Sequence, residues 1–269
     1  MDLGKLVELL RKEGAHGLSD RLKGRIFRRQ MQKDCPLTVS HRQAMEWFEN
    51  RRHEYNRLIS AVYPYVSSDS TIFDIGANIG YFTLLLAERV KLLGSAYLFE
   101  PIPHLAELCK ATFLNARFRA TVFDFGLSDK DTEEDMFIAQ NGNLGWNTLV
   151  SEKTSPDMRK VRVRLKSFDG CGIDATPSLI KIDVEGYEYM VFRGMLSSIP
   201  KWSPLPVMLC EIGWGRSHPA WDEEMSVLRE MKAIGYAICD LAGSRIDESC
   251  LEATTDVLLI PEIRLPGRS

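Results

Sequence analysis

No two of the six cysteines are spaced as C-x-x-C; Cys35, Cys109, Cys171, Cys210, Cys239 and Cys250 are scattered along 269 residues. That spacing excludes the stapled framework of a short secreted protein, and reduced thiols in a cytoplasmic protein are the expectation. No uncharged apolar stretch approaches the ~18 residues that a membrane-spanning helix needs. The opening "MDLGKLVELLRKEGAHG" carries Asp2 and charges throughout, unlike a signal peptide. G-x-G-x-x-G, internal repeats and low-complexity tracts are all missing. Neither sign of charge dominates, since the formal net charge is only −3. With no interleaving of aromatic and basic residues, no nucleic-acid partner is expected. Within that balance, residues 1–33 hold nine Lys/Arg against four Asp/Glu. A basic arm of this kind suits an anionic partner, or is simply a solvated helical face.

What is present is an ordinary globular composition, 45% hydrophobic and 26% charged, enough for one elaborated domain. The first 68 residues read as a helical cap: "LGKLVELLRKEG", "RLKGRIFRRQMQ" and "SHRQAMEWFENRRHEYNRLISAVYPYV". Ser40 is the expected N-cap of the third and Pro64 its stop. From residue 69 to 269, short apolar runs alternate with helical patterns. "TIFDI", "SAYLFE", "ATVFDFGL", "PSLIKIDV" and "LPVMLCEIG" are strands. "YFTLLLAERVKLLG", closed by Gly94, and "IPHLAELCKATFLNA" are helices, with a short one near "EYMVFRGMLSSI". Strands apolar on both faces and separated by helices predict an α/β fold with a parallel sheet covered on both sides. Residues 134–166 interrupt this alternation. In "KVRVRLKSF", Val161, Val163 and Leu165 alternate with Arg162, Arg164 and Lys166, which predicts an inserted, half-exposed antiparallel hairpin. "WDEEMSVLREMKAIG" reads as a helix closed by Gly235, and "YAICDL" with "DVLLIP" as an antiparallel pair finishing the sheet.

"FDIGANIG", residues 73–80, joins an apolar strand to an apolar helix, the position where open parallel sheets bind ligands. Gly76 and Gly80 allow close backbone approach. Asp74 at the strand tip can accept from an amine and would repel a pyrophosphate, which argues against a dinucleotide. A zwitterion such as S-adenosylmethionine fits. Glu100 ends the next strand in "YLFEP", placed to take both hydroxyls of a ribose.

These residues carry a resemblance. "FDIGANIGYFTLLLA" at 73–87, "FEPIP" at 99–103, "GLSDKDTE" at 126–133 and "LIKIDVEGYEYMVFRGM" at 179–195 resemble the FkbM-type S-adenosylmethionine-dependent methyltransferases. The resemblance spans roughly residues 70–260. It implies a doubly wound, mostly parallel seven-stranded sheet of the class I methyltransferase, Rossmann-like kind, and methyl transfer to a hydroxyl of a sugar, glycan or secondary metabolite. By position, Asp74, Gly76, Ala77, Asn78, Gly80, Tyr81 and Phe82 would lie along the methionine end of the cofactor. Glu100 would hold the ribose, with Phe99, Pro101 and Ile102 flanking the ring. Leu127 and Ser128 would meet the adenine, joined by Asp129 unless that acid merely caps a turn. "RLKSFDG" at 164–170 and the basic helical arm depart from the family pattern, and both bear on the acceptor.

"KIDVEG" brings Asp183 to the sheet edge beside the first loop, also within reach of the cofactor, with Glu185 two residues on. Moving a methyl group from a sulfonium to an alcohol needs in-line positioning and a proton acceptor. Asp183 or Glu185 can be that base. Alternatively Asp183 and Glu211, with Glu185, can hold Mg²⁺ or a similar divalent metal. His218 in the following loop is a further candidate base. Trp146, Trp214 and Trp221 offer aromatic faces to a sugar, and Asn143, Asn147 and Thr148 offer hydrogen bonds. Arg21, Lys23, Arg25, Arg28 and Arg29 would suit an anionic acceptor, and the apolar helical arm would suit a homodimer contact. Competing readings are a catalytically silent methyltransferase-like binding module and a methyltransferase acting on a macromolecule.

Overall fold

The computed structural model describes residues 37–140 and 142–265. The first two expected helices, the five basic residues from Arg21 to Arg29 and the expected dimer contact lie outside the described residues. The third expected helix is two helices. α1 (His41–Glu49) starts on a reciprocal capping box in which Ser40 accepts from the Gln43 N–H and Gln43 accepts from Ser40. Its run ends at Asn50, and α2 (Arg52–Val62) restarts without a side-chain cap before a tight turn at Tyr63–Tyr65 that contains Pro64. Trp47, Phe48, Ile59 and Val62 are buried against the larger domain.

β1 (Thr71–Ile75), α3 (Tyr81–Val90), β2 (Ser95–Phe99), α4 (Pro103–Thr112) and β3 (Arg119–Phe123) form the first half of the main sheet. β4 (Gly126–Ser128), β5 (Thr132–Ile138), β6 (Asn147–Thr148) and β7 (Arg159–Ser167) form a separate sheet of order β4-β7-β5-β6. β8 (Leu179–Ile182), α5 (Glu188–Arg193), β9 (Val207–Ile212), α6 (Trp221–Ile234), β10 (Tyr236–Cys239) and β11 (Thr255–Pro261) complete the main sheet. Its order is β10-β11-β9-β8-β1-β2-β3, the doubly wound, mostly parallel seven-stranded arrangement that was expected, with β11 antiparallel to its neighbours. Chain order reverses between β1 and β8, so a crevice opens at their carboxyl ends.

Side chains alternate across the strands between two apolar layers. Ile72 and Leu98 pack toward the cap, α3 and α4, whereas Phe73, Ile75 and Phe99 pack toward α5 and α6. Two expected boundaries move. "ATVFDFGL" is split, β3 joining the edge of the main sheet and β4 pairing in parallel with β7 in the second. α3 stops at Val90 on a left-handed Lys91, while Gly94 lies so close to Ser70 that a Cβ would stand 2.2 Å from its carbonyl oxygen. β5 and β7 pair antiparallel, with Val163 and Leu165 buried and Arg162 and Arg164 exposed.

Candidate functional site

Two cavities meet at the carboxyl ends of β1 and β8. Gly76, Asn78, Gly145, Asp183 and Glu185 belong to both. The first is floored by Glu100 and Pro101 and closed by Ile102, Leu127, Val184 and Tyr187. The second, about 340 Å³, is walled by Trp47, Tyr55 and Tyr81, with Lys181, Glu211 and Asp256 at its base. That volume lies at the small end of the range for ligand pockets, roughly 300–1,000 Å³.

In the first cavity Glu100 is buried. One of its oxygens accepts from the Asn78 N–H at 2.8 Å and the other from the Ile102 N–H at 2.9 Å. Burial pushes its pKa up to about 7, against the pull of those two N–H groups. Each oxygen keeps a lone pair, so the carboxylate can still receive two hydroxyls. Gly76 lies at φ +77, and a Cβ there would stand 1.9 Å from the Asp183 carbonyl oxygen. This glycine is required by the contact between the two motif loops.

Several expected ligand contacts are corrected. Asp74 lines neither cavity: it is fully buried, accepts from Thr83 Oγ1 at 2.7 Å and faces Lys181 Nζ at 3.5 Å. One of its oxygens is thus taken by Thr83, while Oδ1 has only the Lys181 ammonium beside it and no hydrogen bond among the described residues. Gly80 faces Phe113, whose ring would lie 2.4 Å from an added Cβ, so its need is helix packing rather than a ligand. Ala77, Tyr81 and Phe82 line the second cavity, not the first. Tyr81 also donates to Glu49 of the cap. Phe99, Ser128 and Asp129 line neither; Phe99 is core, and Ser128 donates to Asp129 within its own turn.

At the shared rim, Asp183 pairs with Lys181 at 3.1 Å. Burial opposes the charge on Lys181, but Asp183 and Asp74 more than offset it and hold the ammonium firmly protonated. Asp183, Glu185 and Glu211 each bring an oxygen within 4.8 Å of the others. Burial first, and then mutual repulsion, raises Glu185 and Glu211 well above the usual carboxylate range. The cluster therefore welcomes positive charge. Asp183 and Glu211 remain together as a metal-capable pair, and the all-oxygen donor set suits a hard cation.

His218 is corrected as a candidate base. Its Nδ1 accepts from the Ala220 N–H at 2.9 Å and its Nε2 donates to the Gly186 carbonyl at 2.7 Å. Both nitrogens are committed, burial lowers its pKa, and it lines neither cavity. Trp214 stacks on it, with ring centroids 5.6 Å apart. Asn147 lines the first cavity, its amide N–H on the Leu144 carbonyl and its Oδ1 without a partner among the described residues, whereas Thr148 lines neither cavity and donates to the Glu185 carbonyl. Asn143 bonds to Gly145. Trp47, Tyr55 and Asp256 left no signal in the sequence. Lys181, a lone charge inside an otherwise apolar strand, is legible as an ion-pair partner for the rim carboxylates, and it pairs with Asp183.

The family profile described as "Methyltransferase FkbM domain" matches residues 74–237. Among solved structures, the FkbM methyltransferase of Methylobacillus flagellatus is similar at 17% identity and a TM-score of 0.48, covering 72% of this chain and 44% of that one. The chain thus spans less than half the length of that protein. A SAM-dependent methyltransferase from Aquifex aeolicus is similar at 10% identity and a TM-score of 0.40, covering 76% and 89%. A SAM-dependent methyltransferase from Geobacter sulfurreducens, in complex with S-adenosyl-L-homocysteine, is similar at 11% identity and a TM-score of 0.37, covering 70% and 67%. No curated protein matches. Among the described residues, no helix is long and apolar enough to cross a membrane.

Proposed function

The chain belongs to the methyltransferase FkbM family, and on that premise we propose that it transfers a methyl group from S-adenosylmethionine to a hydroxyl of a sugar, glycan or similar polyhydroxyl acceptor. The observation that carries this reading is the pair of cavities sharing Asp183 and Glu185. The nucleoside enters the first, with its ribose on Glu100 and its adenine between Pro101, Ile102 and Leu127. The acceptor enters the second, where Arg51, Lys181, Glu211 and Asp256 among aromatic walls can hydrogen-bond its hydroxyls.

Burial raises the Glu185 carboxyl, and a positive charge held at the rim would favour its ionised form, the form able to accept a proton. Bound there, S-adenosylmethionine would supply an electrophilic methyl group to the acceptor oxygen and leave as neutral S-adenosylhomocysteine, while Glu185 would take the hydroxyl proton. Asp183, held by Lys181, orients the acceptor. Glu211, kept protonated by its neighbours, donates to a second acceptor oxygen.

Calorimetry with S-adenosylhomocysteine, followed by methyl-transfer assays over a panel of neutral, acidic and basic sugars, tests the proposal. Binding of the nucleoside and an O-methylated product are expected; no binding ends it. A second reading, favoured by the proximity of the three carboxylates, places a divalent cation on Asp183, Glu185 and Glu211 to acidify the hydroxyl. Turnover that survives chelation without Mg²⁺ add-back would eliminate it.

A further inference from the structure

Glu185 and Gly186 both lie in the left-handed region, at φ +54 and +90. A glycine adopts that conformation freely, whereas a glutamate does so only where its surroundings impose it. The Val184 and Gly186 N–H groups, either side of Glu185, both donate to Glu188 Oε1 at 3.1 Å. The Glu185 carbonyl accepts from Thr148 Oγ1 at 2.7 Å, and the Gly186 carbonyl accepts from His218. Glu188 itself is fully buried, and its Oε2 has no partner among the described residues. Neither has Oε1 of the nearby, equally buried Glu224. A lone buried carboxyl is costly and is retained only where its hydrogen bonds are needed.

We propose that Glu188 is a positioning residue: by clamping the two N–H groups flanking Glu185, it aims the Glu185 and Asp183 carboxyls at the rim where the cavities meet. The inference rests on the reading of the first cavity as the S-adenosylmethionine site, and deepens it. Glu188 does not touch the cofactor or the acceptor; it acts through the turn. Thr148 completes the clamp from the second sheet.

The consequence can be measured without knowing the acceptor. S-adenosylmethionine is positive at sulfur and S-adenosylhomocysteine is neutral there, so the ratio of their affinities reports how well the rim carboxyls face that atom. Calorimetry on the full chain should show Glu188→Ala losing about tenfold more affinity for S-adenosylmethionine than for S-adenosylhomocysteine. Glu188→Gln keeps the acceptor oxygen, and its amide can donate toward Glu224, so its ratio should stay within about threefold of the original.

An unchanged ratio in folded Glu188→Ala overturns the proposal. So do equal losses for both nucleosides, which would mark a merely structural role. Should Glu188→Ala fail to fold, Thr148→Val decides: it removes the O–H on the Glu185 carbonyl together with the acceptor of the Val150 N–H, and the ratio, which loss of the second bond alone does not move, must fall there too. A wild-type chain that binds neither nucleoside refutes the cofactor reading itself, which distinguishes that failure from a misplaced clamp.

Discussion

Glu100 shows how one carboxyl can be fixed and still usable. Two backbone N–H groups hold it, and burial brings its pKa to about 7. Only the ionised form accepts fully from ribose hydroxyls, so affinity for S-adenosylhomocysteine should rise about tenfold as pH goes from 6 to 8. Calorimetry at several pH values checks this, and Glu100→Gln should flatten the trend. Glu100→Ala should weaken binding by roughly 10- to 100-fold, the loss expected of hydrogen bonds to a charged group. The position of Glu100 was legible, since an acid at the tip of the second strand reaches the crevice, and Glu100 does line the first cavity. Asp74 was equally visible but lies fully buried and lines neither cavity. Sequence shows that an acid ends the strand but not that Thr83 and Lys181 will face it inside the protein.

At the scale of elements, the turn after β8 is wedged against the loop after β9. A Cβ on Gly186 would stand 2.0 Å from the Trp214 ring, at a φ of +90. Gly186→Ala should therefore cost about 3 kcal/mol, part steric and part conformational. Adding Trp214→Ala should return the steric part alone, leaving about 1 kcal/mol of backbone strain. Denaturation midpoints of the two single variants and the double variant give the coupling. The strands, α6 with its Gly235 cap and the antiparallel closing pair were readable because period and punctuation are local. The break at Asn50 and the division of "ATVFDFGL" between two sheets were not. Both accompany tertiary contacts: α2 docking on α3, and β4 pairing with β7 while β3 stays on β2. Trp47 and Tyr55 were hidden for the same reason, since they reach the site only after both helices dock.

For the whole molecule, the buried acid pair predicts how stability tracks pH. Burial first, and then Glu224, raises Glu188; burial raises Glu224. The folded state therefore binds these protons more tightly than the unfolded one, whose carboxyls titrate near 4.5. Stability from this source is complete below about pH 4.5 and is lost as pH rises through the elevated folded values. Between pH 6 and 9 the melting temperature should fall by about 4–8 °C, equivalent to about 2 kcal/mol. Glu188→Gln should lessen that fall. A flat thermal profile would show that the pair is hydrated and unstrained.

The segment that closes both cavities is tied at three distant places. The Trp47 indole holds the Gly142 carbonyl at 2.8 Å, Asn78 holds the Leu144 carbonyl at 2.8 Å, and Thr148 holds the Glu185 carbonyl at 2.7 Å. Asn78 thus touches the nucleoside chamber while fastening a wall of the neighbouring one. The same segment joins the helical cap, through Trp47, to the turn that carries Glu185, through Thr148. On the proposed reading, S-adenosylmethionine should therefore add before the acceptor, and initial-rate kinetics with S-adenosylhomocysteine as inhibitor check that order; random addition would disprove it.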